Sequence, residues 1–485
     1  MKRLFVCCDG TWDAPTDLQD GVPVPTNVCK FYNALADVDG ADTAFPVRQL
    51  RYYHPGVGTE ESWLRRAWDG ATGNGLSRTV RSAYKWLADH YAERDQIFLL
   101  GFSRGAFTAR SVAGFITHCG LPPSPSWSLV AEAFALYRLD PRDPATADKQ
   151  AKFKREHPSP PRLAIHFVGV WDTVGALGIP RKFDLLDIEW RKNRFHDTQL
   201  SPLVRHAYQA LAIDEVRSHF EPTLWTGAPA AGQKVEQAWF AGEHADVGGG
   251  YQENALSDLT LQWMFACAAQ CGAMFRPDMV KQLRPDPLGV VHDSSTWLFS
   301  LPETQPRSFP DLAAIGQVVA TEQRVHPSVA IRRADPPITR APYRNSRSLL
   351  PGAEVELNVY ARQFWNWTGV YLEAGATYEF SALGEWQDGG QVTGPDGTRG
   401  NVLQMLLTPL KRYRQAKWFC LVGCIGDAGN PSVAGDAAPM TTFAIGGGTI
   451  LHCQKPGYLY CYANDARRCY ANNRGSVSLG VKRTS

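Results

Sequence analysis

The sequence has no long apolar run, no excess of charge of one sign, and no repeated or low-complexity tract. Nowhere does it approach the roughly 18 to 20 apolar residues that a membrane-crossing helix needs, so any membrane contact is expected to be peripheral. Near its start, Lys2 and Arg3 precede only Leu4-Phe5-Val6-Cys7-Cys8 before Asp9 interrupts. That run is too short for a secretory h-region and reads as a first β-strand, so the chain is expected to be made in the cytoplasm without a signal peptide. Lysine plus arginine number 50 against 48 aspartate plus glutamate, for a net charge of +2. A balance of this kind offers no basic field, and no nucleic acid is expected as a partner.

The chain carries eleven cysteines, and the five in its C-terminal quarter lack a zinc-type spacing. Cys7, Cys8, Cys29, Cys119, Cys267 and Cys271 lie mostly in apolar segments, where cysteine behaves as a small hydrophobe, and buried thiols in a reducing compartment are expected. Cys420, Cys424, Cys453, Cys461 and Cys469 crowd the C-terminal quarter in odd number, and disulfides there stay open.

What is present is a chain long enough for two or three domains, with 44% hydrophobic residues over 485 positions. Over 1–335, short apolar runs alternate with helical patterns, the sequence form of a mostly parallel sheet with helices on both faces. Leu4 to Cys8, Ile97 to Phe102, Ile165 to Val170 and Val235 to Phe240 read as its strands, apolar on both sides. Leu76, Val80, Ala83, Tyr84, Leu87 and Tyr91 recur at helical spacing. Segments 121–161 and 181–230 carry prolines, charges and aromatics such as Trp127, Trp190, Phe195 and Trp225, and are expected to form a lid or cap. A linker is expected over 336–352, followed over 353–485 by short alternating strands separated by Gly, Asn and Pro turns, the pattern of an all-β sandwich.

The chemistry centres on Gly101-Phe102-Ser103-Arg104-Gly105. A nucleophile elbow needs a buried strand, a strained serine on a sharp turn, and a helix behind it, with small residues where backbones meet. Ile97 to Leu100 supplies the strand, and the run from Ala106 to Ala113 supplies the helix. A serine hydroxyl needs a base to take its proton and a carboxylate to fix that base, and in α/β folds both sit in loops beyond later strands. Asp172, after Val168-Gly169-Val170-Trp171, and His244, after Trp239-Phe240-Ala241-Gly242-Glu243, occupy such loops in the order this fold uses. Asp246 is an alternative acid and His326 an alternative base. No second histidine or carboxylate cluster completes a metal shell around Glu243, His244 and Asp246. For the oxyanion, Arg104 offers one backbone N–H as the residue after the nucleophile. Gly10 or Thr11, in Cys8-Asp9-Gly10-Thr11-Trp12, is favoured over Gly56 to Gly58 for the second.

These blocks, with Ala210-Leu211-Ala212-Ile213-Asp214-Glu215-Val216-Arg217 and His244-Ala245-Asp246-Val247-Gly248-Gly249-Gly250-Tyr251, resemble a bacterial and fungal α/β-hydrolase family, formerly catalogued as a domain of unknown function, that includes type VI secretion phospholipase effectors. The resemblance covers about residues 1–335. It implies a Ser-Asp-His triad, phospholipid ester hydrolysis, delivery outside by a type VI-like machine, and a secretion component or immunity protein as partner. The C-terminal part is similar to small calcium-dependent galactose-binding bacterial lectins with a β-sandwich fold. Trp367-Thr368-Gly369-Val370, Gly394-Pro395-Asp396-Gly397 and Tyr462-Ala463-Asn464-Asp465 with Tyr470 to Ser476 carry that likeness. It implies a calcium held by Asp465, Asn472 and Asn473, with backbone carbonyls near Cys469 and Gln387, and a galactose-like glycan as ligand. Gln404 falls where the lectins place a sugar-contacting glutamine, and Asn401 where they place a histidine.

The leading expectation is thus a serine esterase or lipase, phospholipase A-like, targeted by a sugar-binding domain. Two alternatives stay open: a lectin on a non-catalytic hydrolase scaffold, and an esterase for carbohydrate or small acyl esters.

Overall fold

Leu4, Val6 and Cys8 turn to one side of the first strand and Phe5 and Cys7 to the other, and all five are buried. This two-sided burial is what a central parallel strand requires. The computed structural model describes residues 1–10, 18–19, 22–38, 46–55, 74–140, 143–174, 199–217, 220–292, 306–307, 309, 322–335, 347–401, 404–405, 408–427, 440–467 and 469–485. The first sheet contains β1 (Lys2–Cys8), β2 (Arg48–His54), β3 (Gln96–Phe102), β4 (Ile165–Trp171), β5 (Val204–Ala212), β6 (Lys234–Phe240) and β7 (Gln323–Val325). Their spatial order is β2-β1-β3-β4-β5-β6-β7, and every pairing from β2 to β6 is parallel.

Helices cover both faces. On one, α2 (Asn74–His90), α3 (Arg104–Cys119), α4 (Trp127–Tyr137) and α5 (Pro144–Glu156) place Tyr84, Leu87, Val112, Ile116, Val130 and Phe153 over Leu4, Val6, Leu99 and Val168. On the other, α1 (Asn27–Ala34) and α7 (Ala255–Gln270) place Val28, Phe31, Met264 and Phe265 over Phe5, Phe98, Phe167 and Tyr208. The short α6 (His244–Gly248) lies between β6 and α7 in the chain, and α8 (Pro277–Val280) follows α7. This is the expected mostly parallel α/β sheet of hydrolase type.

Several expectations change. Segment 121–161 is not a lid: α4 and α5 join the core through Val130, Ala133, Phe134, Tyr137 and Phe153. Its polar residues are caps, with Ser126 Oγ accepting from the Leu129 N–H at 3.2 Å and Pro144 opening α5 behind Asp143. Within 181–230, β5 is an inner strand of the sheet, and residues 181–198, with Trp190 and Phe195, lie outside the described residues. Trp225 is buried, while Trp127 is exposed. A polar ladder across β5 explains the misreading: Gln209, fully buried, accepts from Thr173 Oγ1 at 2.5 Å and donates to Gln237 Oε1 at 3.2 Å, and Gln237 exchanges bonds with the Trp225 backbone. Polar residues that look exposed in sequence are satisfied inside.

Two compact units divide the chain: Met1–Glu215 with His219–Asp293 and Val318–Arg324, and Val216–Ser218 with Ser294–Gln317 and Val325–Ser485. Among its described residues the second holds α9 (Ser328–Ala334) and then mainly β-strands. One five-stranded sheet runs β8 (Arg347–Ser348), β10 (Asn366–Leu372), β16 (Gly457–Ala463), β13 (Leu421–Asp427), β14 (Thr441–Ala444). The other runs β9 (Glu354–Tyr360), β17 (Asn473–Arg483), β11 (Thr377–Asp388), β12 (Gln391–Thr393), with β15 (Gly448–His452) also on β11. Val359, Tyr378, Phe380, Leu421, Leu459, Val477 and Leu479 fill the space between them. Of the expected linker 336–352, residues 336–346 lie outside the described residues, and Arg347–Ser348 pairs parallel with β10, so its end belongs to the sheet. All eleven cysteines are free thiols.

Candidate active site

The turn from β3 into α3 leaves no room for side chains on either flank of Ser103. A Cβ on Gly101 would stand 2.3 Å from the Gly105 carbonyl oxygen, and one on Gly105 would stand 2.1 Å from that of Cys8. Both lie far inside van der Waals contact, so glycine at these two positions lets α3 start directly against β1 and β3. Ser103 itself takes φ 56° and ψ −122°, a left-handed conformation that a residue with a side chain adopts only under strain. Its N–H donates to the Trp171 carbonyl at 3.0 Å, which ties the turn to the end of β4. Ser103 is buried, and Arg104 stands at the first position of α3.

Asp172 follows β4 directly and also has a positive φ, 38°. Its N–H donates to the Ala210 carbonyl at 2.7 Å, and its Oδ1 accepts from the Ala212 N–H at 3.0 Å, so two bonds to β5 fix the carboxylate. The other oxygen, Oδ2, lies 2.6 Å from His244 Nδ1. A carboxylate only accepts, so Nδ1 carries the proton and Nε2 is left with its lone pair as a base. Phe102 and Phe220 flank the imidazole, with ring centroids at 4.6 and 4.8 Å. Asp172 and His244 are both buried.

The loop that presents His244 is braced at each residue. Glu243 caps α6, accepting from the Ala245 N–H at 2.9 Å, while Asp246 Oδ2 accepts in return from the Glu243 N–H at 3.0 Å, a capping box. Buried Glu215 accepts from the His244 N–H at 3.3 Å, and Asp214 Oδ2 from the Gly242 N–H at 2.7 Å. Gly248 sits against the Phe102 ring, where a Cβ would come within 1.9 Å. Asn27, fully buried, donates to the carbonyls of Val247 and Ser257 at 3.0 and 2.9 Å. Asp214, Glu215 and Asn27 hold the geometry without any local signature. Only the block Ala212-Ile213-Asp214-Glu215 at a strand end hinted at the first two.

The alternatives fall elsewhere. Asp246 Oδ1 lies 2.6 Å from His292 Nδ1 and Oδ2 accepts from the His292 N–H at 3.0 Å, so this acid serves a second histidine and the loop. Burial alone would depress His292, but the carboxylates of Asp246 and Glu253 together outweigh it and hold the imidazole above its ordinary 6.5. His326 turns to Ser328, with Nδ1 2.9 Å from its Oγ. Gly10 is also otherwise engaged: its N–H donates to Asp9 Oδ1 at 2.8 Å, and Asp9 further accepts from Thr26 Oγ1 and, at 2.5 Å, from the Tyr53 hydroxyl. The N–H expected at an oxyanion is thus taken by its own neighbour. Thr11 and 56–58 lie outside the described residues.

The family model of the type VI secretion phospholipase effector Tle1-like catalytic domain matches residues 2–267. The chain belongs to this family. Among curated proteins, an uncharacterized protein of Saccharomyces cerevisiae is 29% identical over 248 residues, covering 47% of this chain and 33% of that protein. The chain thus spans about a third of the length of this relative. Among solved structures, an uncharacterized protein from Pseudomonas aeruginosa matches at a TM-score of 0.36 and 19% identity over 59% of this chain and 49% of its own. The Tle1 effector bound to the VgrG spike of the type VI secretion system matches at 0.36 and 16% over 59% of this chain and 76% of its own. The EclA N-terminal domain, a PllA-like lectin, matches 26% of this chain and 94% of its own at 0.20 and 20%.

The Tle1-like match spans β1 to α7 and so includes Ser103, Asp172 and His244. Beyond it, the residues expected to hold calcium gather around the end of β11. Asp465 is buried, with Oδ1 accepting from the Ala466 N–H at 2.7 Å and Oδ2 lacking any hydrogen-bond donor. Buried Asn473 Oδ1 likewise has none. Burial pushes the Asp465 carboxyl up to about 6. Asp388, overlooked in the sequence, accepts from Asn472 Nδ2 at 2.6 Å and from Gln404 Nε2 at 2.7 Å. Gln404 Oε1 accepts from the Asn401 N–H at 2.8 Å, so this buried glutamine buttresses Asp388 and Asn401 rather than facing outward. Gln387 pairs with Arg474 across β11 and β17, and the Cys469 N–H donates to the Ala466 carbonyl at 3.0 Å.

Proposed function

We propose that this chain hydrolyses carboxylic esters of phospholipids through an acyl-enzyme, with Ser103 as nucleophile, His244 as base and Asp172 as the acid that orients it. The observation that carries the reading is the 2.6 Å Asp172–His244 contact at the same sheet edge as strained Ser103, all three following the carboxyl ends of β4, β6 and β3. Ser103 Oγ attacks the acyl carbonyl carbon while its proton passes to His244 Nε2, and Asp172 steadies the imidazolium. The oxyanion forms at the start of α3, where the Arg104 N–H is one donor. Collapse breaks the ester C–O bond, the leaving alkoxide takes the proton from Nε2, and the acyl group stays on Ser103. Water then repeats the attack and releases the fatty acid. Membership of the effector family supports phospholipid as the ester class, delivery by a type VI machine, and a secretion-machine component or an immunity protein as partner. Among the described residues no helix is long and apolar enough to cross a membrane.

The second unit is read as a calcium-dependent binder of galactose-like glycan. Support comes from two buried oxygens of one cluster that lack donors, Asp465 Oδ2 and Asn473 Oδ1, since a hard cation satisfies such oxygens. Asp465, Asn472 and Asn473, with the backbone near Cys469 and Gln387, would hold the ion. Bound there, calcium would supply coordination positions for sugar hydroxyls. Asp388 and Gln404 position the asparagines.

The deciding experiment measures fatty-acid release from phospholipid vesicles and from short-chain esters. Wild-type protein should hydrolyse both classes and Ser103→Ala neither. Full activity in Ser103→Ala, or inactivity of the wild type on both, rejects the enzyme reading.

A further inference from the structure

Among the described residues, one group of histidine and cysteine side chains has donor atoms close enough to share a metal ion. His166, His206 and Cys271 each offer one such atom, and these atoms all lie within 4.8 Å of one another. Three separate features of the fold bring them together. His166 is the extra residue of a β-bulge in β4: Ile97 pairs with Ile165 and Phe98 with Phe167, so His166 has no partner on β3 and its side chain is re-aimed. His206 stands two residues before Tyr208 on β5, hence on the same face, and its ring meets that of His166 edge-on at 5.4 Å. Cys271 follows the end of α7, the helix that covers this face.

The hydrogen bonding is compatible with a lone pair on each imidazole. His166 Nε2 lies 3.0 Å from the Cys271 carbonyl and 3.4 Å from the Gln96 Nε2; with its proton given to the carbonyl, which can only accept, Nδ1 keeps its lone pair. A ligating histidine ordinarily donates its other N–H to just such a carbonyl. His206 Nδ1 is buried and has no hydrogen-bond partner among the described residues.

We propose that His166, His206 and Cys271 form a zinc site at the end of the sheet opposite Ser103. Two imidazoles and a thiolate suit a borderline ion, and with three protein ligands the fourth position is water. The site is separate from the ester chemistry. His166 is near the start of β4 and Asp172 just past its end, a seven-residue strand that spans roughly 20 Å. The ion would bind the end of α7 to β4 and β5.

Purified full-length protein, stripped of metal, is titrated with Co2+ as a zinc surrogate and then with Zn2+. The expected result is one equivalent bound with a thiolate-to-cobalt charge-transfer band that zinc abolishes. Cys271→Ser should lose the band, and His206→Gln should weaken binding more than about 100-fold, beyond the loss of an outer-shell partner. A band that persists in Cys271→Ser, or a folded wild type without one, overturns the proposal. Should either variant fold poorly, alkylation of the wild type decides: saturating Zn2+ is expected to shield Cys271 in peptide mapping, and equal labelling with and without zinc rejects the site.

Discussion

Ser103→Ala deletes an oxygen but keeps the N–H that bonds the Trp171 carbonyl, so the turn should survive while kcat on esters falls by about 10⁴-fold or more. An unchanged melting temperature beside the lost turnover is the expected pair of readings. Asp172→Asn is the sharper variant. An amide in place of the carboxylate removes the reason for Nδ1 to hold the proton, and kcat is expected to drop about 10⁴-fold with little change in KM. Gly105→Ala should act on stability instead: its methyl would meet the Cys8 and Asp9 carbonyl oxygens at 2.1 and 2.4 Å, and denaturant unfolding should show a loss of about 3 kcal/mol. The placement of Ser103, Asp172 and His244 past β3, β4 and β6 was legible in the sequence because each follows a short apolar strand. Asn27 was not, since its partners lie 220 and 230 residues away and nothing local marks an asparagine as buried.

At the scale of elements, the α6 loop links His244 to a second acid–histidine pair. Because Asp246 and Glu253 hold His292 above 6.5 in the fold, the charge pairing is complete below that pH and its stabilisation is lost as pH rises through the folded pKa. A proton NMR titration should place His292 above 6.5 in the wild type. In Asp246→Asn it should move down from the wild-type value, since Glu253 alone then opposes burial. The same scale explains what the sequence concealed. β5 reads as part of a cap because Arg205, His206 and Gln209 interrupt its apolar pattern, yet Gln209 is satisfied within the sheet by Thr173 and Gln237. In the second unit, strands around Tyr378, Leu459 and Val477 were legible from alternation, whereas Asp388 at the end of β11 looked like any turn acid. Saturating calcium, at 100 times its dissociation constant, should stabilise this unit by about 2.7 kcal/mol in denaturant unfolding, and Asp465→Ala should abolish that gain.

For the whole molecule, the division into two units predicts that the activities separate. Calorimetry with galactose should give calcium-dependent binding of equal affinity in the wild type and Ser103→Ala, and chelator should leave hydrolysis of a soluble short-chain ester unchanged. Coupled losses would contradict the division. The order β2-β1-β3 in the first sheet has a consequence for how the protein is made. Leu4 pairs with Leu50 on one side and with Ile97 on the other, so β1 cannot be enclosed until β3 has been synthesised. At about 5 to 20 residues per second, Leu-Phe-Val-Cys-Cys waits roughly 5 to 20 seconds with an unpaired edge. Parallel pairing across such distances is slow to nucleate, which makes the amino-terminal strand the segment of this sheet most in need of a chaperone during translation.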